Sequence, residues 1–221
     1  MNTSALTPNA WEAAYLRFES PDQETRKFVR RLSRFGASRW PRDAQIVELF
    51  CGRGNGLRAL ANLGFTRVEG IDLSAALARQ YSGPGRVIIG DCRHLPFENE
   101  SRDVLIVQGG LHHLPTLPGD LETTLGEARR VLKRGGLFCA VEPWLTPFLS
   151  LVHWVCENQL ARRLLPKIDA LATMIEHERE TYDQWLAQPQ EILATFGRFF
   201  QRERTHVRMG KLIFVGHKFF N

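Results

Sequence analysis

The chain has 221 residues, 43% hydrophobic and 24% charged, with 29 Lys and Arg against 24 Asp and Glu for a net charge of +5. That length and balance fit one soluble domain with embellishments, large enough to bury a real core. The basic residues are spread along the chain and interleaved with acids, so they predict solvated helix faces rather than a phosphate-tracking surface.

The opening Met1-Asn2-Thr3-Ser4-Ala5-Leu6 lacks a basic segment followed by an apolar one, and no secretion signal is expected. Trp11, Tyr15 and Phe18 repeat at helical spacing. Phe28, Val29, Leu32 and Phe35 give an apolar face to a helix over residues 26–35. Residues 1–43 therefore read as a helical lead.

The most informative stretch is Val47-Glu48-Leu49-Phe50-Cys51-Gly52-Arg53-Gly54-Asn55-Gly56. An apolar strand runs into a glycine turn and a helix pattern follows, which is how a parallel sheet brings backbone close to a nucleotide-like ligand. Gly52 and Gly54 can take backbone angles closed to other residues and carry no Cβ to fend off a ligand. A second strand, Val68-Glu69-Gly70-Ile71, ends in Asp72, a carboxylate able to accept from both hydroxyls of a ribose. A third, Val87-Ile88-Ile89, leads into Gly90-Asp91-Cys92. A fourth, over 103–107, ends in Gln108-Gly109-Gly110-Leu111-His112-His113-Leu114. An amphipathic helix is expected over 121–132, closed by Lys133-Arg134-Gly135-Gly136, and a fifth strand over 137–141. Cations suit the negative end of that helix, and glycine suits the left-handed turn beyond it. The dinucleotide fingerprint needs a third glycine where Leu57 stands, and no second mononucleotide half follows Val141. A single adenosine pocket fits better than a pair.

These motifs, in this order over residues 44–143, resemble the class I S-adenosylmethionine-dependent methyltransferases, particularly the small-molecule branch called type 11. The chain departs from the family pattern in its loop and after the helix over 121–132. Glu48 takes the place of the usual aspartate and Phe50 that of the first loop glycine, while Arg134 stands where proline is usual. The resemblance implies an α/β fold: a Rossmann-like seven-stranded, mostly parallel sheet with a C-terminal antiparallel hairpin. It implies S-adenosyl-L-methionine as cofactor, with Glu48 orienting the loop and Phe50, Cys51, Gly52 and Gly54 lining the methionyl part. Asp72 would bind the ribose, Leu73 would lie against the adenine, Asp91 and Cys92 would meet the adenine edge, and Gln108 would face the methionyl ammonium.

Beyond the fifth strand, residues 144–196 exceed what one crossover helix requires, and prolines divide them into pieces. A helical cap over the cofactor pocket is expected, because insertions at a sheet's carboxyl edge are placed to shape a substrate site. Trp144, Trp154 and Tyr182 are its candidate substrate contacts. Two β-like runs, 199–208 and 212–219, then form the terminal hairpin, within a segment assigned to 197–221. The apolar run 144–156 is too short and too interrupted to span a membrane, which takes about 20 mostly apolar residues.

His112 and His113 sit where the fourth strand gives way to the next helix, and either ring is a candidate general base. His177-Glu178-Arg179-Glu180-Thr181 begins like a metalloprotease helix, but Thr181 replaces the second histidine, so no metal site is expected. Glu176, Glu178 and Glu180 are expected to face solvent. Cys51, Cys92, Cys139 and Cys156 are scattered, which predicts neither disulfides nor zinc and suits a reducing cytoplasm. The expected activity is direct methyl transfer to a small or medium, partly apolar molecule. An RNA-modifying methyltransferase and a non-catalytic cofactor-binding protein of the same fold are the alternatives.

Overall fold

The computed structural model describes residues 10–220, so the first nine residues, and with them the expectation about a secretion signal, lie outside it. Ala10–Phe18 (α1) and Pro21–Phe35 (α2) form the lead. The capping box of Ser20 and Gln23 starts α2, and Gly36, in the left-handed conformation, ends it. Phe28, Leu32 and Phe35 are buried, as their spacing predicts.

The sheet has seven strands in the order β3-β2-β1-β4-β5-β7-β6. Gln45–Leu49 (β1), Arg67–Asp72 (β2), Arg86–Ile89 (β3), Arg102–Gln108 (β4) and Leu132–Pro143 (β5) run parallel. Lys211–Lys218 (β7) is antiparallel to β5, and Phe200–Arg208 (β6) completes a hairpin with it. Met209 and Gly210 both have positive φ, 50° and 72°. Paired positive angles are what a two-residue hairpin turn needs to match the twist of its strands.

The central strands bury both faces, which explains why they read as near-continuous apolar runs. Val47, Leu49, Leu105 and Val107 belong to one core with the helix Gly119–Val131 (α5), Trp185 and Phe196. Ile46, Val104 and Ile106 belong to the other, with α2 and the helix Asn55–Asn62 (α3), and the one-turn helix Ala75–Ala78 (α4) follows β2. The strand order reverses between β1 and β4, so their carboxyl ends open a crevice near the centre of the sheet.

The Lys133-Arg134-Gly135-Gly136 motif departs from expectation. Helix α5 ends at Val131, and the motif forms the start of β5, with Lys133 paired to Asp103 at 2.7 Å and Gly135 at φ +70°. It opens a strand rather than closing a helix.

Beyond β5 come Pro147–Glu157 (α6), Gln159–Leu164 (α7), Pro166–His177 (α8), Arg179–Ala187 (α9) and Pro189–Phe199 (α10). These helices pack on both the sheet and the lead. Trp185, fully buried, donates its indole hydrogen to the Pro143 carbonyl at 2.9 Å, and α8 lies against α1. Among the described residues no helix is long and apolar enough to cross a membrane. All four cysteines are buried and free.

Candidate active site

A cavity of about 560 Å³ lies at the carboxyl edge of the sheet. Its floor comes from the strand ends and the loops after them: Glu48, Phe50, Cys51, Gly52, Asp72, Leu73, Asp91, Cys92 and Gln108 all line it. The rest of the wall comes from distant segments, with Trp11, Tyr15, Glu24 and Phe28 from the lead and Glu178 and Thr181 from the cap. Of the residues expected to seat the cofactor, only Gly54 lies outside the lining. It has φ +75°, and a Cβ there would come within 2.3 Å of the Tyr81 ring. Gly54 turns the chain into α3 instead of meeting a ligand.

Glu48 is 2% exposed, and its carboxylate passes over Gly56, where any Cβ would come within 2.0 Å of an oxygen. Gln108 Nε2 donates to Glu48 Oε1 at 2.9 Å, while Glu48 Oε2 and Gln108 Oε1 are buried without partners. Burial raises the Glu48 pKa to about 8, against the Gln108 hydrogen bond that lowers it. Two orphaned oxygens at the end of the loop suit a ligand that brings hydrogen-bond donors, such as an ammonium group.

Asp72 Oδ2 accepts from the Gly52 amide at 2.7 Å and Oδ1 from the Ser74 amide at 2.8 Å. These bonds fix the carboxylate beside the glycine loop and leave each oxygen further accepting capacity. Burial still pushes the Asp72 pKa above its ordinary value. Asp91 reaches the cavity too, but Arg93 grips it through side chain and amide, with Nη2 at 2.7 Å, and holds its pKa below the usual range.

Buried Glu24 pins the lead to the loop. It accepts from Tyr15 at 2.9 Å, from Asn55 at 2.8 Å and from Arg53 at 3.0 Å, and the Arg53 guanidinium lies over the Tyr15 ring. Phe50 holds φ +54° where the family usually has glycine, and a Cβ on Gly110 would meet its ring at 2.2 Å. The loop keeps a left-handed turn without the residue that makes one easy.

The two histidines divide. His112 is buried and does not line the cavity. Its Nδ1 lies 2.7 Å from Glu142 Oε2, and Glu142 Oε1 accepts from the amides of Gly110 and Leu111. Burial opposes charge on His112, but hydrogen bonds with Glu142 and Glu178 prevail and raise its pKa to about 9. His113 does line the cavity, with the Trp11 ring edge-on at 5.2 Å between centres.

Glu178 corrects the sequence reading. Instead of facing solvent, its side chain is 11% exposed, with Oε2 at 2.9 Å from His113 Nδ1 and Oε1 at 3.7 Å from His112 Nε2. Trp11 Nε1 donates to the same Oε2 at 2.8 Å. Burial opposes its ionisation, yet the two histidines hold its pKa well below the carboxylate range. One ring nitrogen each of His112 and His113 and a carboxylate oxygen of Glu178 lie within 4.8 Å of one another, close enough to hold a metal ion, and in this structure they contact each other directly. Nothing local signals this role, because only folding brings the junction of α8 and α9 to the histidines.

The expected substrate contacts fare differently. Trp154 is 65% exposed and lies outside the cavity wall, because α6 turns that face to solvent. Trp144 is buried in the same core as Trp185. Tyr182 is buried beside His112, ring centres 5.7 Å apart, and its hydroxyl meets His153 Nε2 at 3.0 Å. None of the three lines the cavity, and Trp11, Tyr15 and Phe28 of the lead occupy that place.

A parallel sheet with an antiparallel final pair and a crevice at its switch point defines a Rossmann-like cofactor-binding protein. Residues 47–140 match the family described as a methyltransferase domain. The chain is 32% identical over 116 residues to a probable phthiotriol/phenolphthiotriol dimycocerosates methyltransferase 2 of Mycobacterium ulcerans, covering 50% of this chain and 43% of that protein. It is 27% identical over 179 residues to a sarcosine/dimethylglycine N-methyltransferase of Aphanothece halophytica, covering 76% and 62%. The chain thus spans less than two thirds of the length of these relatives. Among solved structures, a protein of Pyrococcus horikoshii OT3 superposes with a TM-score of 0.68 at 19% identity, covering 96% of this chain and 100% of that one. The geranyl diphosphate C-methyltransferase of Streptomyces coelicolor A3(2) gives 0.59 at 14% identity, covering 89% and 81%. At such identities the structures speak for the fold alone.

Proposed function

We propose that the chain transfers a methyl group directly to a small or medium, partly apolar acceptor. The observation that carries this reading is the convergence of Glu48, Gln108, Asp72 and Asp91 with the Trp11, Phe28 and Phe50 rings on one cavity. Glu48 and Gln108 would take the methionyl ammonium on their orphaned oxygens, Asp72 the ribose hydroxyls, Leu73 the adenine face, and Asp91 with the Cys92 amide the adenine edge. S-adenosylmethionine, when bound, supplies a methyl group already activated by its sulfonium.

The residues of the chain then have to align and enclose. Lead and cap wall the cavity, which keeps water from competing with the acceptor, and alignment alone supplies much of the rate in such a displacement. The Trp11, Phe28 and Phe50 rings give the acceptor's apolar part a surface. Acids dominate the charged lining: Glu12, Glu24, Asp72, Asp91, Glu178 and Glu180 stand against Arg93. Such a wall repels a phosphate backbone, which favours a metabolite over RNA. The relatives named above are named for phthiotriol or phenolphthiotriol dimycocerosates and for sarcosine or dimethylglycine, none of them a nucleic acid, in agreement with this reading.

The test is a radiolabelled-methyl assay on a metabolite extract, with mass spectrometry of the labelled product. A labelled small molecule is expected. Tight cofactor binding with no labelled product across broad extracts would make the chain a non-catalytic binder.

A further inference from the structure

The cavity holds a polar cluster that cofactor binding does not use. His113 and Glu178 line the cavity on the side of Trp11, and Glu178 is anchored from three directions: His113, His112 and the Trp11 indole. Such convergence from the lead, the cap and the β4 loop is more than a cap needs to stay in place.

Building on the methyltransferase reading, we propose that His113 is the general base of the reaction and Glu178 its positioning residue, and that the acceptor's nucleophile carries a proton. The tautomer follows from the contact. The Glu178 carboxylate accepts, so the hydrogen of the 2.9 Å bond sits on His113 Nδ1, and in the neutral imidazole Nε2 is then the nitrogen that can take a proton. Trp11 donates to the same carboxylate oxygen and packs edge-on against the His113 ring, which limits its rotation. His112, cationic between Glu142 and Glu178, is spent on holding the loop and is not the base. This is the logic of a base oriented by a buried acid, assembled on a loop and a cap.

The step balances simply. The acceptor's X–H bond breaks and its proton passes to His113 Nε2, while the freed electron pair forms the X–C bond. The C–S bond breaks with its pair returning to sulfur, and the proton later leaves His113 for water. The acceptor class is therefore a hydroxyl, a protonated amine or an acidic carbon attached to an apolar body. An acceptor that is already a bare anion or lone pair needs no such base.

Two measurements on the full chain test this. The first is long-range proton–nitrogen NMR of the 15N-labelled protein with S-adenosylhomocysteine. His113 should be protonated at Nδ1, and Glu178→Leu, which removes the acceptor, should shift the proton toward Nε2. The second is label transfer from methyl-tritiated S-adenosylmethionine into a metabolite extract. Glu178→Gln and His113→Gln should each lose about a hundredfold or more, the range of general-base catalysis, with S-adenosylhomocysteine affinity within about threefold of wild type in His113→Gln and Glu178→Asp partly restoring transfer. Unchanged label transfer in both variants, or His113 protonated at Nε2, would overturn the base assignment. Loss of activity on chelation with recovery on adding a divalent ion would overturn it in favour of a metal held by the same three residues. Failure to bind either sulfur cofactor would instead bring down the methyltransferase reading itself.

Discussion

Trp11 gives its indole hydrogen to Glu178 across 2.8 Å, joining residues 167 positions apart in the chain. The bond closes the cavity by linking the first helix to the cap, and the charged acceptor makes it stronger than a neutral contact. Trp11→Phe keeps most of the ring and loses the donor. It should weaken S-adenosylhomocysteine binding several-fold by speeding dissociation, with the association rate little changed. Hydrogen bonds to charged groups contribute about 1.5–3 kcal/mol, so a stopped-flow dissociation rate equal to wild type would mean that the lead does not gate the cavity.

Asp72→Ala should weaken cofactor binding more than Asp91→Ala. Asp72 is held by backbone amides and retains capacity for two ribose hydroxyls, whereas Asp91 is already engaged by Arg93. Losing charged hydrogen bonds of about 1.5–3 kcal/mol each corresponds to a rise in Kd of at least about tenfold for Asp72→Ala. Calorimetry with S-adenosylhomocysteine gives the comparison, and equal affinities for wild type and Asp72→Ala would place the ribose elsewhere.

Cofactor binding should release a proton at about pH 7. With a pKa of about 8, the buried Glu48 carboxyl is mostly protonated before binding, and an ammonium beside it favours the carboxylate. Binding heats measured in phosphate and in Tris should differ by the buffers' ionisation heats, a difference that Glu48→Gln abolishes. The sign also sets a stability trend. A carboxyl whose native pKa lies above its ordinary 4.5 keeps its proton longer when folded, so its contribution to stability falls as pH rises from about 4.5 to about 8. Glu48→Gln should flatten that part of the dependence of melting temperature on pH.

Trp154→Ala should leave the melting temperature and acceptor kinetics nearly unchanged, since the ring is 65% exposed and outside the cavity. Tyr182→Ala should lower the melting temperature strongly, because deleting a buried aromatic costs about 3–5 kcal/mol. A raised Michaelis constant for the acceptor in Trp154→Ala, with stability intact, would return the cap's outer face to the substrate site.

The side of the cavity proposed for the cofactor is legible because it is local: each carboxylate or glycine follows its own strand within a few residues, and strands buried on both faces announce themselves as apolar runs. The side proposed for the acceptor is not local. Glu178 sits among Glu176 and Glu180 in a run that resembles any solvated helix end, and only packing against Trp11 and the histidines sets it apart. Aromatic content misled for the same reason. Trp154 and Tyr182 look alike in sequence, yet one helix turns its ring outward and the other turns it against His112.

The side chain of Phe50 fills the space in front of Gly110 while its backbone holds a left-handed turn. Divergence at the two positions is therefore ordered in time. A larger residue at 110 collides with the ring as long as Phe50 is present, whereas glycine at 50 relaxes the turn and leaves only a void. A lineage moving toward the more usual glycine loop has one passable route, in which position 50 shrinks first and position 110 grows afterwards into the space it vacates.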